Sequence, residues 1–299
     1  MPHTMSRMGD VLAGFHAAWE FESDSVLIRF ERGIRTPKLF QALGERRIPL
    51  EAIAAVTLTP GKRGTVVLHA VPRPGTDPLM DAAAGQLKEG SDPYRLVLPA
   101  ERETLAEYYA DELRGKLVAD EDVWPDGYLV PPPEAPLQFK AYDGKASFDG
   151  AAVSFRWFWT GASSAKWKAG DKTFPVSDLS GVDWRSPELF EGHLRLLHRE
   201  TTDGQPGQAD QDPAAVVFGL GYGPVHESLP FAASVLAAVR STSPAPPAAG
   251  QLHTGTASAG RRDPADIADR IRHLGELHQA GLVTDAEFST KKAELLAEL

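Results

Sequence analysis

The chain of 299 residues contains no cysteine. That removes disulfides, thiolate nucleophiles and cysteine-ligated zinc or iron–sulfur centres from consideration, and it fits a reducing compartment. Positive charge is also scarce: 31 Lys and Arg stand against 41 Asp and Glu, a formal net charge of −10. A surface of that sign repels polyphosphate, so general nucleic-acid binding is not expected. Long apolar runs are missing too. No stretch approaches the ~20 residues that a helix needs to cross a bilayer, and the longest candidate, residues 231–239, is far shorter. The opening residues hold one Arg and a weak apolar patch broken by Asp10, Gly14 and His16, without the long apolar region of a secretory signal. The expected setting is the cytoplasm.

What is present is a repeat. "IPLEAIAAVTL" (residues 48–58) returns as "FPVSDLSGVDW" (residues 174–184), and "FESDSVLIRFERG" (21–33) returns as "FDGAAVSFRWFWTG" (148–161). The second pair reads as strand, tight turn, strand, with Asp149-Gly150 a strong hairpin signal because glycine accepts positive φ cheaply. Glycine-led strands follow at 64–70 and 192–200, then Pro/Gly-rich loops, then Asp-Pro and an apolar strand at 92–98 and 212–218. Each copy closes with a helix. Leu105, Tyr108, Tyr109, Leu113 and Leu117 predict one apolar stripe, and Leu229, Val235, Leu236 and Val239 another, with Pro230 early in the second helix.

Six or seven short strands and one helix per copy predict an α+β chain of two bent antiparallel β-barrels, each with a C-terminal helix, followed by an α-helical hairpin. The proline of the repeated phrase is expected to begin a strand, where no donor is needed. The expected boundaries are 10–118 for the first module and 119–136 for an acidic, Pro-rich spacer. The second module spans 137–240, a linker of low apolar content 241–262, and the hairpin 263–299. In the spacer, Trp124 and Tyr128 are expected to pin the chain to a module. The order of strands and helix resembles the pleckstrin-homology (PH) superfold, notably its bacterial PH-like modules.

The tail carries the sharpest local pattern. Asp263 and Pro264 open a helix, and Ile267, Ile271, Leu274 and Leu277 form its stripe. Gly281 ends it, and Thr284 with Glu287 forms a capping box for a second helix bearing Phe288, Leu295 and Leu299. A unit this short cannot bury a stable core alone, so its apolar seam is expected to self-associate or dock. Leu274, Leu277, Gly281, Leu282, Thr284, Glu287, Phe288, Lys292 and Leu295 stand where the short C-terminal domain called SHOCT has its motif. The resemblance implies a role in oligomerisation or interaction. PH-like modules in tandem with such a tail look like a family of actinobacterial proteins of unknown function.

Chemistry-bearing patterns are weak. "GLGYG" (219–223) has glycine at every second position, lacks the Lys-Ser/Thr of a phosphate loop and sits in no βαβ unit, so it predicts only a flexible turn. Of nine histidines, none forms a metal-ligand pair with a glutamate on a helix; His193 and His198 fall on opposite faces of one strand. No catalytic residue, cofactor or metal site is expected. Basic residues do cluster in two corresponding loops: Arg32, Arg35, Lys38, Arg46 and Arg47 in the first copy, Lys166, Lys168 and Lys172 in the second, the latter among Trp157, Phe158, Trp159 and Trp167. In PH-like folds the early loops often contact anionic head groups. The expected function is therefore a non-enzymatic, cytosolic interaction protein that binds a protein partner or itself. The alternative is a peripheral protein that meets an anionic membrane weakly through these loops, and an enzyme comes third.

Overall fold

A computed structural model describes residues 10–117, 127–199 and 207–242. The first copy begins with β1 (Asp10–Ala13), β2 (Ala17–Phe21), β3 (Ser25–Phe30) and β4 (Glu45–Pro49), an antiparallel sheet in the order β1-β2-β3-β4, with α1 (Lys38–Leu43) set between β3 and β4. A second antiparallel sheet holds β5 (Ile53–Pro60), β6 (Thr65–Pro72) and β7 (Arg95–Pro99), with α2 (Pro78–Ala83) between β6 and β7. Then comes α3 (Glu103–Lys116).

The second copy repeats the plan. β8 (Leu137–Lys140), β9 (Gly144–Phe148), β10 (Ala152–Trp157) and β11 (Lys172–Pro175) form one sheet, with α4 (Ser164–Ala169) between β10 and β11. β12 (Leu179–Arg185), β13 (His193–His198) and β14 (Ala215–Val217) form the next, and α5 (Val225–Thr242) follows.

Alternation builds each sheet. In β2, Ala17, Trp19 and Phe21 face inward; in β10, Val153, Phe155 and Trp157 do. The Asp149-Gly150 hairpin forms as read: the Asp149 carboxylate accepts from the N–H of Ala151 and Ala152, both at 2.8 Å, and Gly150 takes φ 104°. Those two N–H groups hold the Asp149 carboxyl below the ordinary carboxylate range.

Three expectations change. The sheets do not close into barrels; in the first copy the isolated Phe15–Val97 bridge joins the two sheets. The repeated phrase explains the break. Pro49 and Pro175 end β4 and β11 rather than beginning a strand, and each is followed by a 3-10 turn, Leu50–Ala52 and Val176–Asp178. The phrase is thus a corner: a proline without a donor stops one sheet and a tight turn starts the next.

Second, α3 is rotated from its expected stripe. Ala106, Tyr109, Ala110 and Leu113 are buried, while Leu105 and Tyr108 are exposed. Two alanines let the helix approach closely, and Tyr109 stacks on Phe21 at 4.2 Å between ring centroids.

Third, the two copies are not separate modules. They lie in one compact unit. The core of the second copy, around Phe148, Phe155, Trp184 and Phe231, also takes in Leu39, Leu79, Ala82 and Ala83 from the first. α5 lies between β12 of its own copy and α1 and α2 of the other. It starts at Val225, a turn before Pro230, and is apolar nearly all round because it is covered on both sides. Polar clamps finish the joint. The Gln86 amide donates to the Trp184 carbonyl (3.0 Å) and accepts from the Ser186 N–H (2.8 Å), and Arg240 donates to the Gly75 carbonyl (2.7 Å).

Candidate functional site

A groove of about 570 Å³ lies where the two copies meet. One wall is the start of α1 with Pro37, Lys38 and Leu39; the others are residues 187–192, between β12 and β13, and 218–226, between β14 and α5. Leu39 and Phe218 are buried in its floor. Its lips are different: Leu220 is 102% exposed and Phe190 82%, with Leu189 and Tyr222 also exposed. The charged groups in its lining are Lys38, Glu188 and Glu191, together with His226. Lys88 of the first copy reaches across to Glu188 at 3.0 Å. Burial holds the His226 imidazole below its usual pKa, with Lys38 adding to that effect and Glu227 opposing it.

The glycine-rich turn forms the upper lip. Gly223 has φ 64°, and a Cβ there would collide with the Phe218 ring, so only glycine fits. Some of its backbone donors are engaged within the fold: Tyr222 N–H donates to Gly219 O (2.9 Å) and Gly223 N–H to Lys140 O (2.7 Å), and just before the turn Phe218 N–H donates to Gly192 O (2.8 Å).

The basic residues divide into two sets. Arg46 is buried, against expectation. It shares the inner face of β4 with Ile48 and donates to Asp77 (2.7 Å) and to the Tyr94 hydroxyl (3.1 Å), which in turn donates to Asp77. Burial opposes the Arg46 charge, but Tyr94 and Asp77 outweigh it and its pKa ends above the ordinary value; burial pushes the Tyr94 hydroxyl up. Lys166 is also buried. It donates to Asp143 at 2.5 Å and stands 5.0 Å from the Trp157 ring centroid. Burial raises the Asp143 carboxyl and lowers the Lys166 amine, each towards its neutral form. Neither Arg46 nor Lys166 can meet a ligand at the surface. Arg47 is exposed but pairs with Glu22 and donates to the Ser25 hydroxyl (3.1 Å). Arg32, Arg35, Lys38 and Lys168 are exposed, Lys172 is half-buried, and none of the five has an ion-pair partner among the described residues.

A second cavity, of about 470 Å³, is lined by His193, Arg195, Glu191 and Asp210 among others. His193 Nε2 lies 3.2 Å from Asp183, and its Nδ1 lies 2.8 Å from the Glu191 carbonyl. Both partners are hydrogen-bond acceptors, so both ring nitrogens face groups of the fold itself. The bond from His193 chiefly holds the Asp183 carboxyl below its usual range. Among the described residues, no group of three or more His, Asp and Glu is placed to hold a metal ion.

The sequence reading missed the groove lips. Their signal was two adjacent large apolar residues, Leu189 and Phe190, between Pro187 and Gly192, where a turn would ordinarily be polar. The tail residues Ile267, Ile271, Leu274, Leu277, Phe288, Leu295 and Leu299, and Trp124 of the spacer, lie outside the described residues. Tyr128 lies under Arg240, 4.6 Å from guanidinium carbon to ring centroid; burial, reinforced by Asp81, pushes its hydroxyl up to about 12. No described helix is long and apolar enough to cross a membrane.

Residues 19–114 and 146–236 match the family model described as Domain of unknown function (DUF4429), one segment in each copy. Residues 269–296 match SHOCT, the Short C-terminal domain. No curated protein matches the chain.

Proposed function

We propose, from the premise that this chain belongs to the DUF4429 family, that it is a non-enzymatic binding protein that takes a protein partner in the groove between its two copies and self-associates through its tail. Each copy carries a four-stranded sheet, a three-stranded sheet and a closing helix, an order that supports a PH-like reading. The observation that carries the proposal is the pair of lips, Leu220 and Phe190, left in water above an apolar floor. Apolar surface is stabilised by burial at roughly 25 cal/mol per Å², and an exposed apolar patch rimmed by polar groups marks an interaction site. The rim is polar here: Lys38, Glu188 and Glu191.

Affinity capture with the full chain from its own cells tests the groove. A discrete partner is expected with the wild type and lost with Phe190→Ser/Leu220→Ser, two changes at exposed sites that leave the core intact. A partner retained by the double variant would refute the groove. Light scattering tests the tail: the full chain is expected to be heavier than a monomer at micromolar concentration, and a chain ending at Thr242 to be monomeric. Equal oligomeric states would refute self-association.

A further inference from the structure

A further cavity, of about 650 Å³, opens on the seam between the copies and shares only His226 with the groove. Small-molecule sites are concave, mostly apolar and roughly 300–1,000 Å³ in volume, with a few polar groups that fix the ligand. This cavity has that character. The first copy supplies Leu27 of β3, Ala42 and Leu43 of α1, and the start of β4. The second supplies Leu137 and Gln138 of β8 and the first turns of α5. The spacer, residues 130–134, completes the lining. Leu27 and Val130 are buried on its first-copy side and Pro230 on its second. The spacer wall is stiff, because Pro131, Pro132 and Pro133 have fixed φ. It is also tied at both ends, by Val130 in the first core and by the bond from Ser234 to the Pro133 carbonyl. The space is therefore set by the fold.

The charge offered to a guest is negative. Two cations line the cavity and both are committed: Arg46 is buried against Asp77 and Tyr94, and Arg47 pairs with Glu22. Burial holds the His226 imidazole towards its neutral form. The three carboxylates of the lining are freer. Glu134 has no partner among the described residues, Glu227 lies 3.7 Å from His226, and exposed Glu45 lies 3.9 Å from Arg29. The net charge of −10 adds to the pull on a cation. The lining contains no Phe, Tyr or Trp, so a planar ligand finds nothing to stack on.

We infer that this cavity binds a linear aliphatic polyamine, with methylene segments along Leu27, Leu43 and the proline wall and ammonium groups at Glu45, Glu134 and Glu227. An alkylammonium chain lays its methylenes on apolar surface while each charged head keeps a polar partner. An ammonium drawn from water needs such a partner, and three carboxylates around one aliphatic cavity provide several. A metal ion would gain nothing from the aliphatic walls. The inference goes beyond the groove reading and does not rest on it.

Calorimetric titration of the full chain with spermidine tests this. One saturable site per chain is expected at about 0.1 M salt, where the Debye length is about 10 Å and diffuse attraction is largely screened. Glu134→Gln/Glu227→Gln is expected to weaken binding at least tenfold. Ala42→Trp, which fills the cavity without changing charge, is expected to do the same. Glu103→Gln/Glu107→Gln removes equal charge from the exposed face of α3 and is expected to leave binding unchanged. Magnesium ion is expected to bind at least tenfold more weakly than spermidine. Thermal melts equal to the wild type confirm that the variants keep the fold. No saturable binding, or binding unchanged in the Glu134→Gln/Glu227→Gln or Ala42→Trp variant, would overturn the inference. An equal loss in the α3 variant would assign the binding to the overall acidity of the chain and overturn it too. A captured protein lost in Glu134→Gln/Glu227→Gln, with no spermidine binding by the wild type, would give the cavity to a basic peptide instead. Failure of the groove reading shows in Phe190→Ser/Leu220→Ser capture and leaves spermidine binding untouched.

Discussion

At the residue scale, the two copies show one position filled in two ways. The third residue of α1 is Phe40, stacked on Phe30 at 4.6 Å between ring centroids; the third residue of α4 is Lys166, over Trp157 and bonded to Asp143. Where the first copy uses an apolar pair, the second buries charge. Removing one partner of a buried pair leaves an uncompensated charge and costs about 3–5 kcal/mol, so Lys166→Met should destabilise by that order in urea unfolding. Asp143→Asn/Lys166→Met should cost less than Lys166→Met alone. The double variant leaves no buried charge, and the side-chain amide oxygen it introduces can still accept from the Val217 N–H, which lies 3.0 Å from the Asp143 carboxylate. A double variant less stable than the single would contradict this account. Asp183 gives a pH prediction. Its folded pKa is depressed, so its contribution is fully present above the unfolded value of about 3.9 and is lost as pH falls through the folded value. Wild type minus Asp183→Asn stability should therefore shrink on acidification below about pH 4; a flat difference would be contrary evidence. Sequence placed Arg46 and Lys166 at the surface because their partners, Asp77 and Asp143, are distant in the chain. For Arg46 a clue existed: it stands two residues from Ile48, on the same strand face.

At the element scale, the hairpin at Asp149-Gly150 was legible because its turn chemistry is local. The rotation of α3 was not. Leu105, Tyr108 and Leu113 satisfy helical spacing, but Ala106 and Ala110 win the inner face because small side chains permit close approach and Tyr109 stacks on Phe21. Leu113→Ala should then cost about 2–5 kcal/mol, while Leu105→Ser and Tyr108→Ser should fall within about 0.5 kcal/mol of wild type, as surface changes do. Denaturant melts of the three variants check the orientation; a large loss at Leu105 would reverse it. The corner at Pro49 and Pro175 was visible as a repeated phrase, yet its meaning depended on where the preceding strand ended.

At the scale of the molecule, duplication was legible and fusion was not. The repeat predicted two modules on a Pro-rich spacer. In the structure Val130 of that spacer is buried in the first core, and the Pro133 carbonyl accepts from Ser234 of α5 at 2.9 Å. The all-round apolar character of α5 was the available sign of two-sided cover. A shared core makes the groove a fixed feature of the unit, and that groove is the centre of the functional account. A photo-cross-linking residue at position 220 of the full chain, with peptide mapping of the adducts, tests it most directly. The account predicts a discrete adduct with one partner protein, lost when Phe190→Ser is added and absent from a control probe at exposed Glu107. No adduct from position 220, or the same adduct from the control, would contradict it.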